Sequence, residues 1–173
     1  IPRAAELKGK DSLEKKGVHL VATADEAVYA TTRMDYTTDT FLALPTECLG
    51  TEYLVMSYQN VHDNVPLLNG TQLAVLAISD FTEVTITPRT AVGSHAAGVP
   101  YQILLHRGQT YQLRDEANKP ADLTGTLITA TKPVAVFGSH RCANVQSSNQ
   151  FFCDVVVEQL LPVAAWGSVF YVA

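Results

Sequence analysis

The chain has 173 residues, which is enough to bury the core of one domain. Hydrophobic residues make up 47% of the sequence and charged residues 17%, a composition typical of an ordered globular protein. Its formal net charge of −5 would repel a nucleic-acid backbone, so nucleic acid is not expected among its partners. No apolar run approaches the roughly 20 residues of a membrane-spanning helix, so no membrane insertion is expected.

Residues 1–16 are the most charged stretch of the chain, and they predict a surface segment with one helical turn. From Gly17 onward, short runs rich in β-branched and aromatic residues alternate with turn residues. This pattern predicts a single β domain over residues 17–173. The sequence has no initiator Met and no signal peptide, so the chain is expected to begin inside a longer protein.

The pattern predicts about eleven short strands and no helix longer than two turns. The strands span residues 18–22, 27–32, 40–44, 53–58, 73–79, 82–87, 101–105, 110–113, 133–137, 155–157 and 166–172. Turn residues at 25–26, 80–81 and 107–108 predict three hairpins between neighbouring strands. No segment repeats at a fixed period, which excludes propellers and solenoids. The expected fold is all-β, a β-sandwich or jelly-roll-like barrel of mostly antiparallel short strands.

A polar loop bracketed by Cys142 and Cys153 separates the apolar run 133–137 from the β-rich run 155–157. Two strands tied by a disulfide across their connecting loop is the simplest physical interpretation. Three reduced core cysteines fit the same spacing equally well. Cys48 is expected to be a small, partly buried side chain rather than a reactive thiol.

No catalytic or metal site is predicted. Ser139 and His140 are adjacent on a strand, so their side chains point to opposite faces. Residues 93–95, Gly-Ser-His, lack the strand–turn–helix context of a nucleophile elbow. His140, Cys142 and Cys153 could supply three zinc ligands, but no paired CxxC or HxH spacing supports them. We therefore expect no enzyme and no cofactor.

Two groups of loop oxygens could hold calcium: Asp35 with Asp39, or Asp63 with Asn60 and Asn64. Neither group matches an EF-hand loop. Solvated turn residues that bond their own backbone are the favoured interpretation.

Residues 69–71, Asn-Gly-Thr, form a glycosylation sequon, although a tight turn is the favoured interpretation. Several aromatic side chains could form a platform for a sugar or a protein partner. On strands, however, such residues more often serve ordinary packing. The platform candidates are Tyr53, Tyr58, Tyr101, Tyr111 and Trp166.

The C-terminal part of the chain carries a specific set of motifs. They are KPVAVFGSHRC at 132–142, CD at 153–154, VEQLLP at 157–162 and WG at 166–167. Upstream, they continue as TDTF at 38–41, LP at 44–45, LGTEY at 49–53, AISDFTEVTITP at 77–88, GQTY at 108–111 and DLTGT at 122–126. With these motifs, the sequence from Gly17 to Ala173 resembles the IgGFc-binding protein N-terminal domain family.

The resemblance implies an extracellular or cell-surface domain without enzymatic activity, beside neighbouring domains of a longer chain. The family's paired cysteines fall on Cys142 and Cys153, which favours the disulfide. The family pattern has strands before Ile1 and sequence beyond Ala173, so both ends of the domain are expected to be truncated. No catalytic residue and no established binding residue come with the resemblance.

The expected function is adhesion through a protein or glycoprotein partner, with immunoglobulin Fc and mucin as candidates. A carbohydrate-binding module and a ligand-free structural spacer in a surface protein are the alternatives. The loop between the paired cysteines is the predicted binding surface, because rigid scaffolds often display recognition loops in this way. An inert stapled loop is the competing interpretation. The predicted binding residues are His140, Arg141, Asn144, Gln146, Asn149 and Phe152.

Overall fold

The computed structural model describes residues 3–34, 37–61, 68–117, 120–145 and 152–172. In these ranges the regular structure is ten β-strands and three short 3-10 turns, at Arg3–Ala5, Thr46–Cys48 and Val163–Ala165. No helix among the described residues is long and apolar enough to cross a membrane. The strands are β1 Asp11–Glu14, β2 Val28–Met34, β3 Thr37–Ala43, β4 Gly50–Leu54, β5 Thr71–Ala77, β6 Thr82–Thr87, β7 Tyr101–Leu105, β8 Thr110–Asp115, β9 Leu127–Ala143 and β10 Asp154–Gln159. The predicted all-β, sandwich-like fold is confirmed.

The 17-residue strand β9 organises the main sheet. The strand order is β1-β8-β5-β9-β6-β7, and β4 and β10 also pair with β9. The first half of β9 pairs with β4 and β6, and its second half pairs with β5 and β10, all antiparallel. One long strand therefore joins the two halves of the fold.

The hairpin of β2 and β3 forms a separate two-stranded sheet that lies against β10. Two side chains of β3 accept hydrogen bonds from backbone N–H groups of β10: Thr37 Oγ1 from Val155 at 2.6 Å, and Asp39 Oδ2 from Val157 at 2.7 Å. Phe41 also packs edge-on against Phe137 of β9. The edge of β10 that does not pair with β9 is thus covered by side chains of β3 rather than by the backbone of a further strand.

The core follows from the two-residue period of the strands. In β5 every second residue is buried, and β6 buries Val84 and Ile86 in the same way. Tyr53 is fully buried, and its hydroxyl donates to the backbone oxygen of Val134 at 2.7 Å. The main core residues are Tyr53, Val55, Leu73, Val75, Val84, Ile86, Leu105, Tyr111, Leu113, Leu123, Ile128, Val134 and Val136.

Two of the predicted hairpins are wrong. The turns at 80–81 and 107–108 join strands that do not pair: β5 pairs with β8 and β9, whereas β6 pairs with β7 and β9. Local turn residues predict a change of direction, but they cannot show that a strand from elsewhere in the chain takes the neighbouring position.

The ends of the chain also differ from the prediction. Residues 18–22 and 166–172 form no strand; β2 pairs with β3 instead of with 18–22, so the hairpin at 25–26 is wrong as well. Conversely, the charged leading segment contains β1, which pairs with β8. β-Branched residues favour a strand only where a neighbouring strand is present. Cys48 is exposed, not partly buried as expected.

Candidate functional site

The loop between β9 and β10 is closed by a disulfide between Cys142 and Cys153, whose Cα atoms lie 4.9 Å apart. The two strands pair from Asp154 opposite Ala143 to Gln159 opposite Phe137. The predicted arrangement of two strands tied across their connecting loop is confirmed. Further segments, around residues 57–60, 69–71, 115–117 and 121–123, meet at this end of the fold, which we call the loop end.

Asn60 connects the segments of the loop end. It is 1% exposed, and its Oδ1 accepts hydrogen bonds from the backbone N–H groups of Gly70 at 2.9 Å and Thr71 at 3.0 Å. Its side-chain Nδ2 donates to the backbone oxygen of Asp115 at 3.0 Å, and its backbone N–H donates to the backbone oxygen of Ala121 at 2.8 Å. This one buried residue therefore connects three loops. Its hydrogen bonds satisfy backbone groups whose burial without partners would cost free energy.

His140 is fully buried beside this amide. Its Nε2 lies 3.0 Å from Asn60 Oδ1, and its Nδ1 accepts the backbone N–H of Cys142 at 3.0 Å. Because an amide oxygen can only accept, Nε2 carries the proton, and the ring is the neutral Nε2–H tautomer. His140 therefore links Asn60 to the first cysteine of the disulfide.

A cluster of charges borders the loop end. Glu116 pairs with three cations: Lys10, Arg114 at 2.8 Å and Arg141 at 2.9 Å. Burial raises the pKa of the Glu116 carboxyl, but the hydrogen bond from Lys10 and the charges of Arg114, Lys10 and Arg141 outweigh it, so the pKa lies below its ordinary value. The cluster joins the leading segment, β8 and β9.

The six predicted binding residues occupy different environments. His140 and Asn144 are buried, so their side chains lie beneath the surface that the prediction assigned to them. The Arg141 side chain is partly exposed, and Phe152 is 84% exposed. Gln146 and Asn149 lie outside the described residues. Whether the loop binds a partner stays a prediction.

The tyrosine platform is not formed. Tyr53 and Tyr111 are core residues, and the hydroxyl groups of Tyr101 and Tyr111 bond each other at 2.9 Å. Burial of the hydroxyl raises the pKa of Tyr101 to about 12, so it is neutral and serves packing. Only Trp166 of the candidates is more than half exposed.

The sequon residue Asn69 is also buried, and its Nδ2 donates to the backbone oxygen of Ala117 at 3.2 Å. Asp39, one of the candidate calcium ligands, accepts hydrogen bonds from the backbone N–H groups of Thr40 and Val157. Asp35, Asp63 and Asn64 lie outside the described residues.

Sequence reasoning missed the two residues that build the loop end. The sequence indicates Asn60 only as a candidate calcium ligand and gives no signal for Glu116. Neither carries a local signal, because their partners lie up to 106 residues away, as for Lys10 and Glu116. Only the folded sheet brings each of these two residues next to its partners.

The fold and the loop end define an antiparallel β domain that displays a disulfide-closed loop. The family model described as IgGFc binding protein matches residues 39–173, and the chain belongs to this family. The IgGFc-binding protein of Homo sapiens is 32% identical over 136 residues, which are 76% of this chain and 2% of the relative. The chain therefore spans only a small part of that relative. No solved structure matches.

Proposed function

We propose that the chain is a non-enzymatic, extracellular binding domain that recognises a protein or glycoprotein partner through its loop end. Membership of the IgGFc-binding family supports this function, and the human relative carries Fc binding in its name. Disulfides persist mainly in oxidising compartments, so the Cys142–Cys153 bond supports an extracellular location. Immunoglobulin Fc is the first candidate partner and mucin the second.

The observation that carries the proposal is the contrast between exposed and buried side chains at the loop end. Phe152, which precedes Cys153, is 84% exposed, and Val145, three residues after Cys142, is 66% exposed. At the same end of the fold, Asn60 and His140 are buried and hydrogen-bonded to each other and to the backbone. A rigid base with exposed apolar side chains at the same end is the arrangement of a binding surface, in which aromatic anchors dominate the affinity.

The carbohydrate-binding alternative loses support, because Tyr53 and Tyr111 lie in the core and Tyr101 packs against it. A glycan array therefore serves as a control. The spacer alternative predicts no saturable binding to any of these ligands.

The test is biosensor binding of the chain to immobilised immunoglobulin Fc, with Fab and purified mucin alongside. We expect saturable binding that Phe152→Ala weakens by at least about tenfold, the loss typical of a central aromatic contact. Phe170→Ala is the matched control, since Phe170 is 72% exposed but lies in the C-terminal segment. Equal losses for both variants, or no saturable binding to Fc or mucin, would contradict the proposal.

A further inference from the structure

Phe81 combines two unfavourable features at the corner between β5 and β6. Its φ of 53° lies in the left-handed region, and no other non-glycine residue in the described ranges has a positive φ. Bulky side chains are sterically disfavoured there. The side chain is also 68% exposed, so little burial compensates. Backbone strain of this kind is concentrated at binding sites.

The corner holds the ring in one orientation. Phe81 stacks edge-on against His106 with ring centroids 4.8 Å apart, and its N–H donates to His106 Nδ1 at 3.4 Å. Asp80 Oδ1 accepts the backbone N–H of Arg107 at 3.1 Å, and Asp80 O accepts from Lys132 Nζ at 2.6 Å. The exposed ring is therefore preorganised for contact.

Arg107 follows His106 in the chain and is exposed, and its side chain forms no ion pair with any described residue. Aromatic residues and Arg are enriched at protein interfaces relative to the rest of the surface, and this corner exposes one of each. We call Phe81 and Arg107 the knob.

A cleft of about 240 Å³ lies on the other edge of β9, where β10 and the segment after β4 meet. Its apolar lining includes Met56, Val156 and Val157, and its acidic lining is Asp39 and Glu158. A cavity of roughly 150 Å³ can hold a benzene ring, so the cleft is large enough for a phenyl group. The Glu158 carboxylate has no cation partner in the part of the chain that the structure describes. Desolvation and the charge of Asp39 raise the pKa of Glu158, so a cation would be stabilised there.

We propose that the knob of one copy docks into this cleft on a second copy, with the Phe81 ring among Met56 and Val156 and the Arg107 guanidinium on Asp39 and Glu158. Knob and cleft are complementary in charge and in apolar character. They are different surfaces of the chain, so the contact is head-to-tail and can extend from copy to copy. One knob is a small contact, and the association is therefore weak and concentration-dependent.

The first test is sedimentation of the chain over a concentration series. The average mass should rise with concentration for the native chain and stay at that of a monomer for Phe81→Ala and Arg107→Glu. Tyr29→Ala is the matched control, because Tyr29 is also 68% exposed; it should associate like the native chain. A monomer at every concentration, or association unchanged by Phe81→Ala, overturns the proposal.

The second test uses the head-to-tail geometry. A Phe81→Ala chain keeps only the cleft, and a Glu158→Arg chain keeps only the knob, so each should be monomeric alone. Mixed together, they should form a one-to-one pair and nothing larger. Glu158→Gln removes the charge without adding bulk and should weaken association several-fold. It serves as a second cleft variant in case Glu158→Arg does not fold. Failure of the mixture to pair while both variants keep the native thermal transition overturns the proposal, independently of any result with Fc.

Discussion

The imidazole Nε2–H of His140 donates to Oδ1 of Asn60 over 3.0 Å, in the fully buried interior of the loop end. The same oxygen accepts hydrogen bonds from the backbone N–H groups of Gly70 and Thr71, while Nδ1 of the imidazole accepts one from the backbone N–H of Cys142. These two side chains thus connect the start of β5 with the disulfide. The base of the loop end therefore contains a buried polar pair.

Asn60→Ala should destabilise the chain by about 3–5 kcal/mol, because it leaves several buried donors and one carbonyl without partners. The measurement is chemical denaturation, combined with amide hydrogen exchange of Gly70 and Thr71, which should accelerate before global unfolding. Gln102→Ala removes an exposed amide and should change stability by less than about 0.5 kcal/mol. Similar losses for both variants would show that Asn60 does not organise the loop end.

Asn69 should carry no glycan in the folded, secreted chain, although its sequence matches the acceptor motif. The amide nitrogen to which a glycan would attach is buried and donates to Ala117. Val21→Asn supplies a positive control: it creates the sequon Asn-Ala-Thr where Val21 is 83% exposed. Intact-mass measurement after expression in a mammalian secretory host should find one glycan on this variant and none on the native chain. A glycan at Asn69 would place this side chain at the surface.

Strand positions could be predicted where the two-residue period is strong. The bounds of β6 and β7 agree with the prediction, since alternating apolar residues such as Val84 and Ile86 mark a half-buried strand. The disulfide-tied pair of β9 and β10 was also predicted, from cysteines placed between two β-rich runs.

Strand partners could not be predicted from the same signals. β9 inserts between β5 and β6 although it begins 40 residues after β6 ends, at Leu127 against Thr87. Turn residues act locally, whereas this order depends on β9 pairing with distant strands on both of its edges. The sequence predicts the loop itself but not its base, because nothing near Asn60 in the sequence indicates that four distant segments surround this residue.

Gly138 marks a close approach of two backbone segments. A Cβ at this position would overlap the carbonyl oxygen of Met56, which is backbone and cannot rotate away. Gly138→Ala should therefore cost at least about 3 kcal/mol or prevent folding, as severe overpacking does. Gly93→Ala is the control: its φ is 56°, but no atom lies within 4 Å of the new methyl group, so the loss should be about 1 kcal/mol. Thermal denaturation of both variants checks this; equal stability would mean that Met56 can move aside.

The stability that Glu116 provides should depend on pH. Lys10, Arg114 and Arg141 keep the pKa of this carboxyl below its ordinary value of 4.5 despite partial burial, so folding favours the charged form. The contribution is therefore complete above about pH 4.5 and is lost as the pH falls through the lower pKa of the folded state. Glu116→Gln should cost about 1 kcal/mol at pH 7 and almost nothing in strong acid, measured by denaturation at each pH. Glu52→Gln, at an exposed position of β4, is the control and should change stability by less than about 0.5 kcal/mol at pH 7. A loss for Glu116→Gln that is constant across pH would mean that the ion pairs contribute no stability.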